Sequence, residues 1–458
     1  MKVIICGAGQ VGSNIARQLA QEKNDVTIID MSPELARKIG DELDVRSMVG
    51  HASHPAVLEE AGADDADMLI AVTYSDEVNM VACQVAHSIF NIPKKIARIR
   101  AQDYIRPQWA QLFARENMPI DAIISPEMEV ARAIERRLKV PGAFDTVSFA
   151  DGKVQVIGVR LDENCPIIHT PLEQLTELFP GLNVTVLAIY RDGRMRVPER
   201  EDQMFPGDDV YFAADANHVE RVMPLFGHEE EEARSIVIIG GGNIGLHLAQ
   251  LIEKKMRNVS VKLIDSNRAR AERITDDLER TVVLHGSALD PDLLQEANAA
   301  RAETIVALTN DDQVNILASL LAKGQGTRKA ITLINNPVFG NLVTSLGVDV
   351  VVDPRATTVS EILRHIRRGR IRGLHSFRDG AAEVVEGVAL ETSPLVGKPL
   401  RDLKLPPGII IGAVIHDGEV ILPRGDSVIE PNDRVIILGL QDVIQKMESM
   451  FSVGLEFF

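Results

Sequence analysis

Residues 3–12 read Val-Ile-Ile-Cys-Gly-Ala-Gly-Gln-Val-Gly (VIICGAGQVG), and the fold is decided there. A short apolar run ending in glycines suits a buried strand. Val11, Ile15 and Leu19 follow at helical spacing, so the chain turns from strand to helix across Gly7, Gly9 and Gly12. That context is what a Gly-x-Gly-x-x-Gly fingerprint requires before it points to a dinucleotide. Gly7 allows the tight turn, Gly9 lets the backbone approach a pyrophosphate, and Gly12 lets the helix pack closely on the sheet. The helix N-terminus at Gln10 and Val11, after Ala8, offers free N–H groups and a positive dipole to that pyrophosphate. The next apolar run, Val26 to Ile29, ends at Asp30, placed to hydrogen-bond ribose hydroxyls and to repel a 2′-phosphate. The cofactor expected is NAD(H) rather than NADP(H).

Working outward, short apolar runs recur at 45–49, 68–72, 96–99 and 120–124, with helical patterns between them. Ser32-Pro33 reads as an N-cap with Pro at the first helical position. Alternating strand and helix implies a doubly wound parallel sheet of about six strands. Thr73 ends the fourth run, followed by Tyr74, and Arg98 lies in the fifth. Ligands lie outside the carboxyl ends of such strands, so Thr73 can face one, although capping of the helix that follows explains it equally well.

The stretch then repeats. From Val237 the chain reads VIIGGGNIGLHLAQL, aligning Gly240, Gly242 and Gly245 with the three glycines, and Asp265 matches Asp30. Gly50 matches Gly286, and Pro55, Leu58 and Ala61 match Pro291, Leu294 and Ala297. AVTYSDEVNM from Ala71 matches ALTNDDQVNI from Ala307. The second copy thus offers Gly240, Gly242, Gly245, Asp265 and Thr309. Arg98 aligns with Thr332, so a phosphate-pairing cation is missing from that copy.

A different repeat follows each of these. Residues 149–227 and 377–452 share Pro166-Ile167 against Pro394-Leu395, AIYRDG from Ala188 against AVIHDG from Ala413, and PGDDV from Pro206 against PNDRV from Pro431. Asp192-Gly193 and Asp417-Gly418 read as hairpin turns. Short helices are expected near 172–179 and 217–225. These are small α+β domains. The expected division is 1–140, 145–227, 234–370 and 372–458, with the acidic run from His228 (HEEEEAR) as a solvated linker between the halves.

The chain has 458 residues and a formal net charge of −17. That balance argues against a nucleic-acid partner and against direct docking on anionic lipid. Three cysteines are too few for a disulfide framework, which points to a reducing cytosol. No N-terminal stretch reads as a secretory signal and no apolar run approaches the ~20 residues of a membrane span. No metal centre is expected. A nicotinamide dehydrogenase needs a proton donor or acceptor beside the hydride carbon. Neither His169, Asp162 and Glu163 in one α+β domain nor Glu391 and Lys398 in the other recurs in such an arrangement. An NAD-dependent oxidoreductase of duplicated form is therefore the alternative, and a non-enzymatic switch is the expectation. His51 and His54 face Ser287 and Asp290 in the second copy, which reads as an ordinary polar loop.

GAGQVG with Asp30, GHASHPAVLEEAGADDADMLIAV from Gly50, SDEVNMVACQVA from Ser75 and KLPPGIIIGAVIHDGEVILPRGDSVIEPND from Lys404 together carry a resemblance. The whole chain resembles the TrkA family, peripheral regulatory subunits of bacterial Trk potassium-uptake systems built from duplicated RCK N and RCK C domains. The resemblance implies two Rossmann-like RCK N domains, each followed by a small α+β RCK C domain. It implies a homo-oligomeric ring on the cytoplasmic face of an integral membrane potassium-translocating subunit. It implies regulation by NAD(H) and by ATP or ADP, at Gly7–Val11, Asp30, Thr73, Tyr74 and Arg98 and at Gly240–Ile244, Asp265, Thr309 and Asn310. Gly50-His51-Ala52 and Gly286-Ser287-Ala288 depart from the Gly-Asp-Ala usual in that family after the third strand.

Overall fold

A computed structural model describes residues 1–179, 183–336, 338–366 and 371–451. The first apolar runs become β1 (Lys2–Cys6), β2 (Asp25–Asp30), β3 (Arg46–Val49), β4 (Met68–Ala71), β5 (Lys94–Arg98) and β6 (Ala122–Ile124). All pair in parallel, in the order β3-β2-β1-β4-β5-β6. The central strands are apolar nearly throughout because helices cover both faces of a parallel sheet. Those helices are α1 (Gln10–Gln21), α2 (Pro33–Glu42), α3 (Pro55–Glu60), α4 (Asp76–Ser88) and α5 (Pro126–Leu138). Ser32 caps α2 as expected, its side chain accepting from the Leu35 N–H.

The first antiparallel domain holds β7 (Ala143–Phe149), β8 (Val154–Arg160), α6 (Leu172–Leu178), β9 (Val184–Arg191), β10 (Arg194–Arg196), β11 (Asp209–Asp215) and α7 (Val219–Val222). Its strand order is β10-β9-β11-β8-β7. The β9–β10 turn has φ 51° at Asp192 and 78° at Gly193, the paired left-handed geometry that Asp-Gly supplies. β7 did not register as a strand in the sequence, because its apolar residues alternate with polar ones at a sheet edge.

The second copy gives β12 (Ser235–Ile239), α8 (Asn243–Lys255), β13 (Ser260–Asp265), α9 (Arg268–Thr275), β14 (Val282–His285) and α10 (Pro291–Glu296). It continues with β15 (Thr304–Ala307), α11 (Asp312–Gln325), β16 (Lys329–Leu333), α12 (Val338–Ser345), β17 (Val350–Val352) and α13 (Pro354–Ile366). The parallel order is again β14-β13-β12-β15-β16-β17. The last domain contains β18 (Ile371–Phe377), β19 (Ala382–Val388), β20 (Ile409–His416), β21 (Glu419–Ile421), β22 (Arg434–Leu440) and α14 (Ile444–Ser449), in the order β18-β19-β22-β20-β21. The two antiparallel sheets bury a shared apolar core in which Phe149, Val156, Leu187 and Tyr211 meet Phe377, Val384, Ala413 and Ile436.

The chain forms two compact units, and they cut across the repeats. One is Met1–Glu129 with Pro354–Ile366; the other is Val130–Asp353 with Arg367–Phe458. Two helices account for this. α5 follows the first sheet in sequence, yet Val130, Ala131, Ile134 and Leu138 lie in the core of the second, with Ile236, Ile238 and Leu248. α13 follows the second sheet, yet it packs against α1 and β6 of the first. Each half lends its final helix to the other.

Candidate functional site

The first glycine loop does what its residues allow. Gly7 sits at φ +112°, and its N–H donates to the Ile29 carbonyl at 2.7 Å, closing the turn against β2. Gly12 lets α1 start directly over that turn, since a Cβ there would fall 1.9 Å from the Gly7 carbonyl oxygen. Gly9 is different. It is the exposed N-cap of α1, and a Cβ built on it meets nothing within 4 Å. The loop is therefore closed beneath and open above, at the end of a helix whose first N–H groups have no intrahelical acceptor. Gln10 is exposed beside Gly9, while Ala8, Val11 and Gly12 are buried.

Asp30 holds the loop from the side. Its carboxylate accepts from the Ala8 N–H at 2.6 Å and the Ser32 N–H at 2.8 Å, and it stays partly exposed. At the end of β4, Thr73 is not the helix cap; Ser75 is, accepting from the Val78 N–H at 3.3 Å. The Thr73 hydroxyl donates instead to Asn79 Oδ1 at 2.7 Å. Asn79 is fully buried and reaches the Arg98 carbonyl with its Nδ2 at 2.9 Å, so it ties the ends of β4 and β5 together. Sequence reasoning missed Asn79, although its repeat at Asn315 in DEVN and DQVN was a usable signal. Tyr74 is 88% exposed, with the Arg100 guanidinium 5.6 Å from its ring centroid.

Arg98 carries the electrostatic signal of this edge. Its Nε is buried and has no hydrogen-bond partner among the described residues. Burial, and then the neighbouring Arg100 charge, push its pKa below the usual guanidinium value. Arg100 has a counter-charge, its Nε lying 3.1 Å from Glu127 Oε1. A buried guanidinium N–H lacking an acceptor favours an arriving anion.

The second loop repeats the backbone and changes the surroundings. Gly240 has φ +101°, Gly245 makes the same 1.9 Å approach, and Gly242 caps α8 with nothing near its Cβ position. Thr309 and Asn315 repeat the Thr73–Asn79 bond at 2.7 Å. Asn243 and Asn310 are exposed and Ile244 is partly buried. Asp265, however, is only 3% exposed. It accepts from the Gly241 and Asn267 N–H groups at 2.7 Å each, and Arg270 Nη1 lies 3.4 Å away. Ile274 closes over Gly241, 2.5 Å from where a Cβ would be. The structural counterpart of Arg98 is Leu333 rather than Thr332, because Leu333 takes the Asn315 bond that Arg98 takes from Asn79. Thr332 pairs with Ala307 one residue earlier and hydrogen-bonds Ser319 inside the core. The cation is missing as the sequence indicated, at a different position.

The remaining candidates are structural. His51 and His54 stack with ring centroids 4.6 Å apart, and His51 Nδ1 pairs with Ser53 Oγ at 2.8 Å. No cluster of three or more His, Cys, Asp and Glu that could hold a metal ion is found among the described residues. Burial pushes the Cys6 thiol up to about 12, so it is an inert core residue. No helix among the described residues is long and apolar enough to cross a membrane.

Comparison with known proteins agrees with this architecture. The TrkA-N domain matches residues 3–126 and 236–354, and the TrkA-C domain matches 156–227 and 384–452. The chain is 53% identical to the Trk system potassium uptake protein TrkA of Azorhizobium caulinodans, across 100% of both chains. It is 42% identical to the protein of that name from Halomonas elongata, again across 100% of both. A crystal structure of the GsuK RCK domain shares the fold with a TM-score of 0.60 at 17% identity, covering 98% of this chain and 94% of that one. A GsuK channel bound to NAD gives the same TM-score and identity, covering 98% and 78%. Duplicated glycine-loop sheets, each followed by its antiparallel partner and matched end to end by these relatives, place the chain in the TrkA family of Trk-system potassium uptake proteins.

Proposed function

We propose that this chain is the nucleotide-sensing regulatory subunit of a membrane potassium transporter, and that its first glycine loop is the principal sensor. The observation that carries the reading is the contrast between the two loops. The first joins an open helix N-terminus at Gly9 to a partly exposed Asp30, with Arg98, whose buried Nε has no hydrogen-bond partner among the described residues, at the same carboxyl edge of the sheet. In the second, Arg270 already sits on a buried Asp265 and no cation replaces Arg98. Gly7–Gly12 would hold the pyrophosphate of NAD(H) and Asp30 its ribose, with Thr73 and Tyr74 lining the β4 side. ATP and ADP present the same phosphate chemistry to the loop. Gly240–Gly245, Asp265, Thr309 and Asn310 form a weaker second arm. The names of the curated relatives supply the transport system, and the NAD-bound channel of the same fold supplies precedent for the ligand.

The four segments 1–140, 145–227, 234–370 and 372–458 are read as the modules of the duplication. The subunit acts without chemistry of its own, as a peripheral partner on the cytoplasmic face. Moving a two-state assembly from 1:99 to 99:1 takes about 5.5 kcal/mol of differential affinity, which several sites in a ring supply at ~1 kcal/mol each. The ring itself needs an apolar contact surface. α11 leaves Leu317 and Leu321 exposed, and Val338, Leu342 and Leu346 are exposed on and just after α12. Leu317→Glu with Leu342→Glu is expected to lower the assembly mass measured by light scattering; an unchanged mass would put the contact elsewhere.

The nucleotide reading is tested by calorimetric titration of the full chain with NADH, NADPH, ATP and ADP. Saturable NADH binding without NADPH binding is expected. Gly9→Asp should weaken it at least 100-fold without moving the melting temperature, because the added side chain meets open space and places a carboxylate where the phosphate belongs. Gly242→Asp should leave that affinity intact. Undiminished NADH binding by Gly9→Asp would remove the first loop as the sensor. Binding of ATP or ADP with no NADH binding would keep the loop and replace the ligand.

A further inference from the structure

A cavity of about 1190 Å³ lies inside the second compact unit, and no glycine-loop residue lines it. Its walls include the α5–β7 connector, strand residues Arg160, Tyr190 and Asp209, the acidic run after His228, the starts of β15 and β16, the α12–β17 connector and the first turn after β18. Seven carboxylates line it, and four of them are engaged by neighbours. Asp145 accepts from Arg137 Nη2 at 2.6 Å and pairs with His375. Asp349 takes the Lys323 ammonium at 2.7 Å, Glu230 pairs with His228 at 3.2 Å, and Glu303 accepts from the Ser235 N–H at 2.7 Å.

Against them stand five arginines and lysines, and around Asp209 and Lys329 these cations are incompletely neutralised. Asp209, 2% exposed, is shared by two guanidiniums, Arg160 in a two-point contact at 2.7 and 2.9 Å and Arg378 from the last domain. Arg378 also lies 3.9 Å from the Tyr190 ring centroid. The Lys329 ammonium has three donors and one acceptor, the Ala143 carbonyl at 3.2 Å, and no carboxylate within ion-pair distance among the described residues. Burial pushes this lysine down to about 8, with Asp349 and Glu230 opposing the shift and Arg137 adding to it.

We propose that this cavity is a second ligand site, which takes a compact multivalent anion carrying phosphate, held by Lys329, Arg160 and Arg378. The acidic run, read from sequence as a solvated linker, then serves as one wall of a binding chamber. A ligand there touches segments of both antiparallel domains and of the second Rossmann sheet at once, so occupancy would stiffen the whole unit.

The test uses full-length protein carrying Gly9→Asp and Gly242→Asp, so that glycine-loop binding does not enter. Pyrophosphate, orthophosphate and ADP are titrated calorimetrically near pH 8 in two buffers of different ionisation enthalpy, with citrate as a non-phosphate trianion. The expected result is saturable binding of a phosphate species with net proton uptake, as Lys329 becomes fully charged. Lys329→Met should weaken binding at least tenfold and abolish the uptake, and Arg378→Gln should weaken binding while leaving the uptake in place. Binding by pyrophosphate or orthophosphate identifies a site for the free ion; binding by ADP alone identifies one for a nucleotide. Equal affinity and equal proton uptake in the parent and Lys329→Met would overturn the proposal, as would tighter binding of citrate than of any phosphate species, or no binding at all.

Discussion

Gly12→Ala is expected to lower the stability of the first compact unit by about 3 kcal/mol and to weaken nucleotide binding about 100-fold. The new methyl group would lie 1.9 Å from the Gly7 carbonyl oxygen, and that oxygen belongs to a backbone pinned to Ile29 at 2.7 Å. No side chain is available to swing away, so the start of α1 has to lift off β1 by more than 1 Å. The helix N–H groups proposed to hold the phosphate move with it, which is why stability and binding should fall together. Gly245→Ala makes the same 1.9 Å clash in the second unit and should destabilise that unit while sparing affinity at the first loop. Calorimetric unfolding with nucleotide titration reads both effects. A Gly12→Ala protein that melts and binds like its parent would mean that α1 can be repositioned freely, and the fingerprint would lose its structural meaning here.

Asp209→Ala should be the most damaging substitution in the antiparallel pair, at roughly 3–5 kcal/mol. The carboxylate is buried and neutralises Arg160 across the β8–β11 ladder and Arg378 from the other domain. Removing it leaves two guanidiniums facing each other in a half-enclosed space. The loss should appear as a lowered melting temperature of the second unit. Adding Arg378→Met to Asp209→Ala should recover part of it, because one orphaned charge is then gone. A double variant no more stable than the single one would show that the cost lies in lost packing rather than in unpaired charge.

The sheets were legible in the sequence because each buried parallel strand is a short apolar run and each glycine loop marks the strand it follows. Gly7 and Gly12 could be assigned tasks from the sequence, since only one backbone geometry satisfies them. Thr73 was ambiguous for a physical reason: a hydroxyl at a strand end can cap, face a ligand or bond inward, and only the position of Asn79 decides. Arg98 shows what the repeat pattern alone leaves open. A one-residue offset shifted its counterpart to Thr332, whereas the strand register places Leu333 there. Least legible was the destination of α5 and α13. An amphipathic helix declares that one face is buried, but two sheets of the same sequence pattern offer the same groove, and nothing local distinguishes them.

That exchange has a consequence for how the chain is made. The first sheet, its glycine loop and Asp30 are complete by residue 129, but the helix that belongs against α1 and β6 ends at Ile366. At ~5–20 residues per second, a ribosome needs on the order of tens of seconds to synthesise the stretch between them. During that interval the nascent first unit exposes the apolar bed that Val359, Ile362, Leu363 and Ile366 will fill. A message truncated after the first antiparallel domain would yield a glycine loop on an unfinished body, with α5 bereft of its own bed. The two copies of the ancestral unit have become obligate hosts for each other's last helix, and neither can be inherited alone.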